Sequence, residues 1–318
     1  MKNQTFNNLD ANETVFFLRQ LTAIKARTYD VVYPEYKAKA LIPVSSEAGP
    51  GADTILYRQF DRVGLFKLIS NYADDLPVSD VKGQEFSVIV KSLGGSYTYN
   101  IQEIRAAQMA GLPLNQRKAN ACRQAYEQLV NEYGWLADGS TKYGGLYGFL
   151  FNPNTTKAAR ASGKTWVAGQ ASADEVIADV GYAVGQIRSL TKGVEEPNMC
   201  ILPPLQYTYL ATTPRSTISD TTILEFLQKA YPNITFDWVN ELKDVEDTEG
   251  NRPSGTAGDV DCAVIYRRDP NKLTFEIPLP YEQFAPQERS LSYKVPAHGR
   301  IGGVIMYYPL AVYVIEGI

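Results

Sequence analysis

The chain has 318 residues, 44% apolar, 21% charged and 11% aromatic, with a formal net charge of −4 and a pI near 5.3. That composition excludes a disordered, collagen-like or disulfide-scaffold protein. Its acidity speaks against a basic nucleic-acid reader, and no apolar run approaches the ~20 residues of a membrane helix.

The first residues, Met1-Lys2-Asn3-Gln4-Thr5, carry no apolar signal core, so synthesis in the cytosol is expected. Residues 1–52 read as an arm. Asn12 is placed to cap a short helix in which Val15, Leu18, Leu21 and Ile24 recur at helical spacing. Past it, Tyr33-Pro34, Leu41-Ile42-Pro43 and Gly49-Pro50-Gly51 predict extended chain, because proline fixes its own φ and pushes its predecessor out of the helical region.

Residues 53–70 and 84–99 read as two strands of a long hairpin. Ile55 and Tyr57, then Phe86, Val88 and Val90, alternate along them, and the polar turn from Asp74 to Gly83 lies between. An isolated two-stranded ribbon is marginal in water and needs a surface to lie on.

The strongest periodic signal comes next. Pro113 is suited to open a helix, Asp138-Gly139 to close it, and Cys122, Ala125, Tyr126, Leu129, Val130 and Tyr133 form one apolar stripe. Such a helix would be about 37 Å long at 1.5 Å per residue, a spine for a flat body. Residues 139–171 are rich in loop signals.

From Ser172 the pattern becomes α/β. Ser172 caps a helix through Val176, Val180 and Ile187, and Met199–Leu202 is a strand stopped by Pro203-Pro204. Asp220 caps a helix with Ile223, Phe226 and Leu227, and Ile234–Phe236 is a short strand. After an acidic loop, 241–261, come strands at 263–266, 303–308 and 311–315.

The inventory for chemistry is thin. His298 is the single histidine, and no GxSxG elbow offers it a serine, so a serine hydrolase is a remote alternative. Ser162-Gly163-Lys164-Thr165 lacks the upstream glycine and the preceding strand of a phosphate loop. Asp74-Asp75 and Glu195-Glu196 read as solvated turns. Cys122, Cys200 and Cys262 have no metal spacing and read as reduced thiols. No catalytic residue, metal ligand or cofactor-binding residue is assigned. Basic residues gather at Arg19, Lys25, Arg27, Lys37 and Lys39, and at Arg117, Lys118 and Arg123; they suit phosphate or a neighbour's carboxylates equally.

In order along the chain, certain segments resemble the major capsid proteins of tailed phages, the Hong Kong 97-type fold, and within it the encapsulin-like branch. They include Phe16-Phe17-Leu18-Arg19-Gln20-Leu21, Leu41-Ile42-Pro43-Val44, Tyr72-Ala73-Asp74-Asp75-Leu76-Pro77, Ile101-Gln102-Glu103-Ile104-Arg105, Leu202-Pro203-Pro204 and Arg300-Ile301-Gly302-Gly303-Val304. The resemblance implies an α+β subunit. Its parts would be an N-terminal arm at 1–52, an extended hairpin loop at 53–99, a peripheral domain with the spine helix at 100–171, an axial α/β domain at 172–262, and strands returning to the peripheral domain at 263–318.

The resemblance further implies a non-enzymatic shell protein that self-assembles into pentamers and hexamers around double-stranded DNA. Portal, scaffolding and decoration proteins are further candidate partners, and no membrane is involved. The product would be a virion capsid assembled in the host cytoplasm. Expected inter-subunit contacts are Arg19, Tyr57, Arg58, Phe60, Arg62 and Lys82; expected DNA-facing residues are Lys25, Arg27, Arg117, Lys118 and Arg123. The prototype's long cleaved N-terminal segment has no counterpart before the arm, so a separate scaffold, or none, is expected. An encapsulin-type nanocompartment shell is the alternative within the fold.

Overall fold

The computed structural model describes residues 34–63, 80–110, 114–216, 218, 220–258 and 260–318. The chain divides into two compact units, Met1–Glu35 and Tyr36–Ile318, and the second carries the sheets and both cores. The expected helix after Asn12 lies outside the described residues.

The entry to this unit is not purely extended. A single helical turn, α1 (Ala38–Leu41), precedes the short strand β1 (Val44–Ser45). Two distant groups close its ends: Asn131 Oδ1 accepts from the Ala38 amide at 3.0 Å, and the Tyr266 hydroxyl donates to the Leu41 carbonyl at 2.7 Å. Tertiary hydrogen bonds thus hold a turn that four residues cannot nucleate alone.

Next comes the hairpin, β2 (Thr54–Val63) and β3 (Asp80–Ile89), antiparallel in register from Thr54 opposite Ile89 to Val63 opposite Asp80. The predicted second strand, 84–99, is really two. The chain leaves the hairpin at Val90, which is buried, and continues as β4 (Lys91–Asn100) on a different partner. Helices α2 (Ile101–Ala110) and α3 (Leu114–Leu136) succeed it. The first had no reading in the sequence. The second is the expected spine: its 23 residues span about 34 Å.

The α/β part begins with β5 (Thr156–Ala159) and α4 (Ala173–Leu190). Ser172 caps α4 as expected and forms a capping box with Glu175. After β6 (Met199–Leu202), Pro203 and Pro204 do more than stop a strand. Pro203 is the cap and Pro204 the first residue of α5 (Pro204–Thr212), where a missing N–H costs nothing. Helix α6 (Ile223–Ala230) is capped by Thr222, not Asp220. Backbone bonding of Thr213 and Pro214 to this segment keeps it extended through 222, and the Thr222 hydroxyl then receives the Glu225 amide.

The remaining strands are β7 (Thr235–Trp238), β8 (Cys262–Tyr266), β9 (Leu273–Glu276), β10 (Leu279–Gln283), β11 (Gln287–Arg289), β12 (Ser292–Ile301), β13 (Gly303–Met306) and β14 (Val312–Glu316).

Among the described residues the strands form four sheets: β1-β9-β13; β10-β12-β11 with β4 on β12; the hairpin; and a five-stranded sheet ordered β5-β14-β8-β6-β7. Of the segment 263–318, expected to return to the part with the spine helix, β9 and β13 share the first core with that helix. Strand β14 instead sits inside the α/β sheet, parallel to β5 and antiparallel to β8.

The reason is visible in side-chain alternation. Val312 and Val314 face one core with Cys262, Val264 and Tyr266, while Tyr313 and Ile315 face a second core with Ala263 and Ile265. Strands apolar on both faces belong in the middle of a covered sheet. Helices α4, α5 and α6 cover the second face; α1, α3 and the 143–151 segment cover the first. The result is a mixed α+β fold with two cores sharing one sheet.

Candidate inter-subunit surface

The hairpin has two unlike faces because side chains alternate along each strand. On the inner face Tyr57 stacks on Phe86, centroids 5.2 Å apart, and meets Tyr307 edge-on at 5.1 Å. Burial, reinforced by the neighbouring Tyr307, raises the Tyr57 phenol above its ordinary value. Tyr57, expected at a subunit contact, is therefore half-buried against its own chain.

The outer face carries Leu56, Phe60, Val81 and Ile89, which are 63%, 64%, 58% and 44% exposed. Arg58 lies among them and pairs across the strands with Glu85 at 3.3 Å. Both members of that pair are solvated, so it adds little stability. Arg62 and Lys82 stand opposite Val81 and Asp61 in the ladder. Arg19, Lys25 and Arg27 lie outside the described residues.

The spine helix uses its apolar stripe unevenly. Tyr126, Val130 and Tyr133 are buried in the first core. Toward the N-terminus the stripe opens: Leu129 is exposed and Cys122 half-exposed. There Ala121, Cys122 and Ala125 face Leu93, Gly95 and Tyr97 of β4 across a cleft of about 410 Å³.

The basic residues of this helix do not form one stripe. At 100° per residue, Arg117 and Arg123 point about 120° apart. Both are exposed, but Lys118 is committed within the chain. Its Nζ donates to the Thr98 carbonyl at 2.9 Å and to Glu103 at 2.6 Å, and it lies over the Tyr99 ring.

Other motifs resolve into structure. His298 Nδ1 lies 3.3 Å from Glu282, and its partners across the strands are Glu282 and Gly94, neither of them the serine a Ser-His hydrolase needs. The Gly-Lys-Thr segment is latched onto α4: Ser162 donates twice to Asp179 and Lys164 pairs with Glu175 at 2.6 Å. Glu195 is not a solvated turn residue. It is buried and paired with Lys272 at 2.5 Å, whose ammonium lies over Tyr308; only Glu196 is exposed.

Cys200 and Cys262 are buried free thiols, with Cys200 pushed by burial up to about 12. Among the described residues no cluster of three or more His, Cys, Asp or Glu could hold a metal, and no helix is long and apolar enough to cross a membrane.

This combination of projecting hairpin, long spine helix and α/β lobe is the Hong Kong 97-type fold of phage capsid shells. The capsid of Myoviridae phage XM1 superposes with a TM-score of 0.79 at 18% identity, over 94% of this chain and 98% of that one. A structure from Gordonia phage Cozz gives 0.65 at 11% identity, over 100% and 98%. The capsid of a native GTA particle gives 0.63 at 10%, over 98% and 99%. At these identities the likeness is one of fold. Among curated proteins no sequence match is found. A family model described as major capsid protein matches residues 64–318, and the chain belongs to that family. It is a capsid shell protein with the fold of tailed-phage capsids.

Proposed function

We propose that copies of this chain gather into pentamers and hexamers and close an icosahedral shell around the double-stranded DNA of a tailed bacteriophage. The observation that carries this reading is the outer face of the hairpin. Leu56, Phe60 and Val81 stand exposed, around the Arg58–Glu85 pair, on a ribbon whose other face already packs on its own body. Large apolar side chains exposed together on one face mark a partner site, and in a closed shell the partner is a neighbouring copy. Phe60 and Arg58 are assigned to that contact, with Arg19, Arg62 and Lys82 as further members.

The proposed division keeps 1–52 as the arm, 53–99 as the extended loop, 100–171 as the peripheral domain and 172–262 as the axial domain. Of the closing segment, β14 is assigned to the axial sheet. Exposed Arg117 and Arg123, with Lys25 and Arg27 of the arm, are assigned to non-specific DNA contact. The role is structural and no reaction is assigned. Assembly is placed in the host cytoplasm, with portal, scaffolding and decoration proteins as further partners. The family match favours this virion shell over the nanocompartment alternative.

Negative-stain microscopy and sedimentation of the purified protein test the reading. Closed shells, or five- and six-membered rings, are expected. A monodisperse monomer or dimer that ignores salt and crowding agents would overturn it.

A further inference from the structure

The root of the hairpin is a short, well-bonded junction. The hairpin begins after Asp53 and ends before Val90, and there the Val90 amide donates to the Asp53 carbonyl at 2.9 Å. A third strand reaches this root from the far end of the sequence. Arg300 of β12 is 9% exposed; its Nη1 donates to the Pro50 carbonyl at 2.8 Å and its Nη2 to Asp53 Oδ1 at 2.5 Å. These two acceptors bracket the Gly51-Ala52 segment that aims β2. Two residues along, Gly302 admits the hairpin closely: a Cβ there would stand 3.2 Å from Ile55 Cδ1. The next contact outward is Tyr57 on Tyr307.

Leverage makes this root decisive. Ten residues of β2 extend about 33 Å at 3.3 Å per residue, so a rotation of about 10° at the root carries the tip about 6 Å. Packed interfaces tolerate far less than that. The two halves of the Arg300 grip also differ. The Asp53 side chain is 89% exposed and can exchange its partner for solvent. The Pro50 carbonyl cannot leave without moving the turn itself. The Arg300 Nε is buried and has no partner among the described residues, so the guanidinium depends on these two acceptors.

We infer that Arg300 is the positioning residue of the hairpin: its fork sets the angle at which β2–β3 leaves the body, with Asp53 as the releasable half of the grip. The effect on assembly rests on the shell reading above; the geometric claim does not.

The test uses spin labels on the full-length, unassembled chain. Gln84→Cys, farther out on β3, and Thr208→Cys on α5 are both exposed, Cys122→Ser removes the accessible thiol, and Cys200 and Cys262 are fully buried. Electron–electron resonance then reads the hairpin-to-body distance. The parent should give one narrow distribution. Arg300→Gln should at least double its width, Asp53→Asn should widen it less, and Arg300→Lys should fall between, since an ammonium lacks the fork. Shell yield should fall in the order of widths.

A role in stability alone would lower the melting temperature and leave the distribution unchanged; that result in Arg300→Gln would overturn the inference. Should Arg300→Gln fail to fold, an unchanged width in Asp53→Ala would overturn it equally. A parent that never forms shells would sink the shell reading and leave the distance result standing.

Discussion

The indole N–H of Trp166 donates to Asp179 Oδ2 at 2.9 Å, with both side chains at most 1% exposed. The same carboxylate takes the Ser162 amide at 2.7 Å and the Ser162 hydroxyl at 2.6 Å. One carboxylate on α4 thereby holds the whole 162–166 loop against the second core, and three donors offset the cost of burying it.

Removing that acceptor should be severe. Asp179→Ala leaves the indole N–H and the Ser162 donors without their partner and should cost about 3 kcal/mol. Trp166→Phe, which loses one donor and some packing, should cost less. Urea unfolding of the subunit measures both, and a cost below about 1 kcal/mol for Asp179→Ala would refute the latch.

The Lys272–Glu195 pair gives a second test. Lys272→Met strands a buried carboxylate and should cost about 3–5 kcal/mol, whereas Lys272→Met with Glu195→Met should recover most of that loss. A double-mutant cycle reads the coupling. Additive costs would mean that the pair is solvated in practice.

Asp138 predicts a pH dependence. Burial raises its carboxyl, but hydrogen bonds from Ser140 and Thr248 outweigh burial and hold it down to about 2. A carboxyl depressed on folding contributes stability that is full above its unfolded value and is lost as pH falls toward about 2. The stability gap between the parent and Asp138→Asn should therefore be constant above about pH 5 and close as pH approaches about 2. Thermal melts across that range check it; a gap that widens on acidification would contradict the assignment.

The hairpin face separates folding from assembly. Phe60→Asp should leave subunit stability within about 0.5 kcal/mol, because an exposed side chain is replaced. It should abolish large particles in sedimentation. Normal shells from Phe60→Asp would show that this face is not a subunit contact.

Much was legible locally. The spine helix announced itself through one apolar stripe between Pro113 and Asp138-Gly139, and the Ser172 cap through the spacing of Val176, Val180 and Ile187 behind it, because helix periods and caps are encoded within a few residues. The apolar hairpin was readable from alternation. Helix α5 was not, since Pro203-Pro204 serves equally to end a strand and to open a helix. Nor was the cap of α6, where pairing with Thr213 and Pro214 decided in favour of Thr222.

The sequence by itself determined the spine helix, the apolar hairpin, the capped helix after Ser172, the thin inventory for chemistry and the resemblance to capsid subunits, because periodicity, turn residues and motif order are local properties. Only the tertiary structure decided which strand lies beside which. The break at Val90, the seat of β14 between β5 and β8, the burial of Glu195 against Lys272 and the grip of Arg300 on Asp53 all join residues distant along the chain. Such pairings depend on the packing of both cores at once, which no local window of sequence contains.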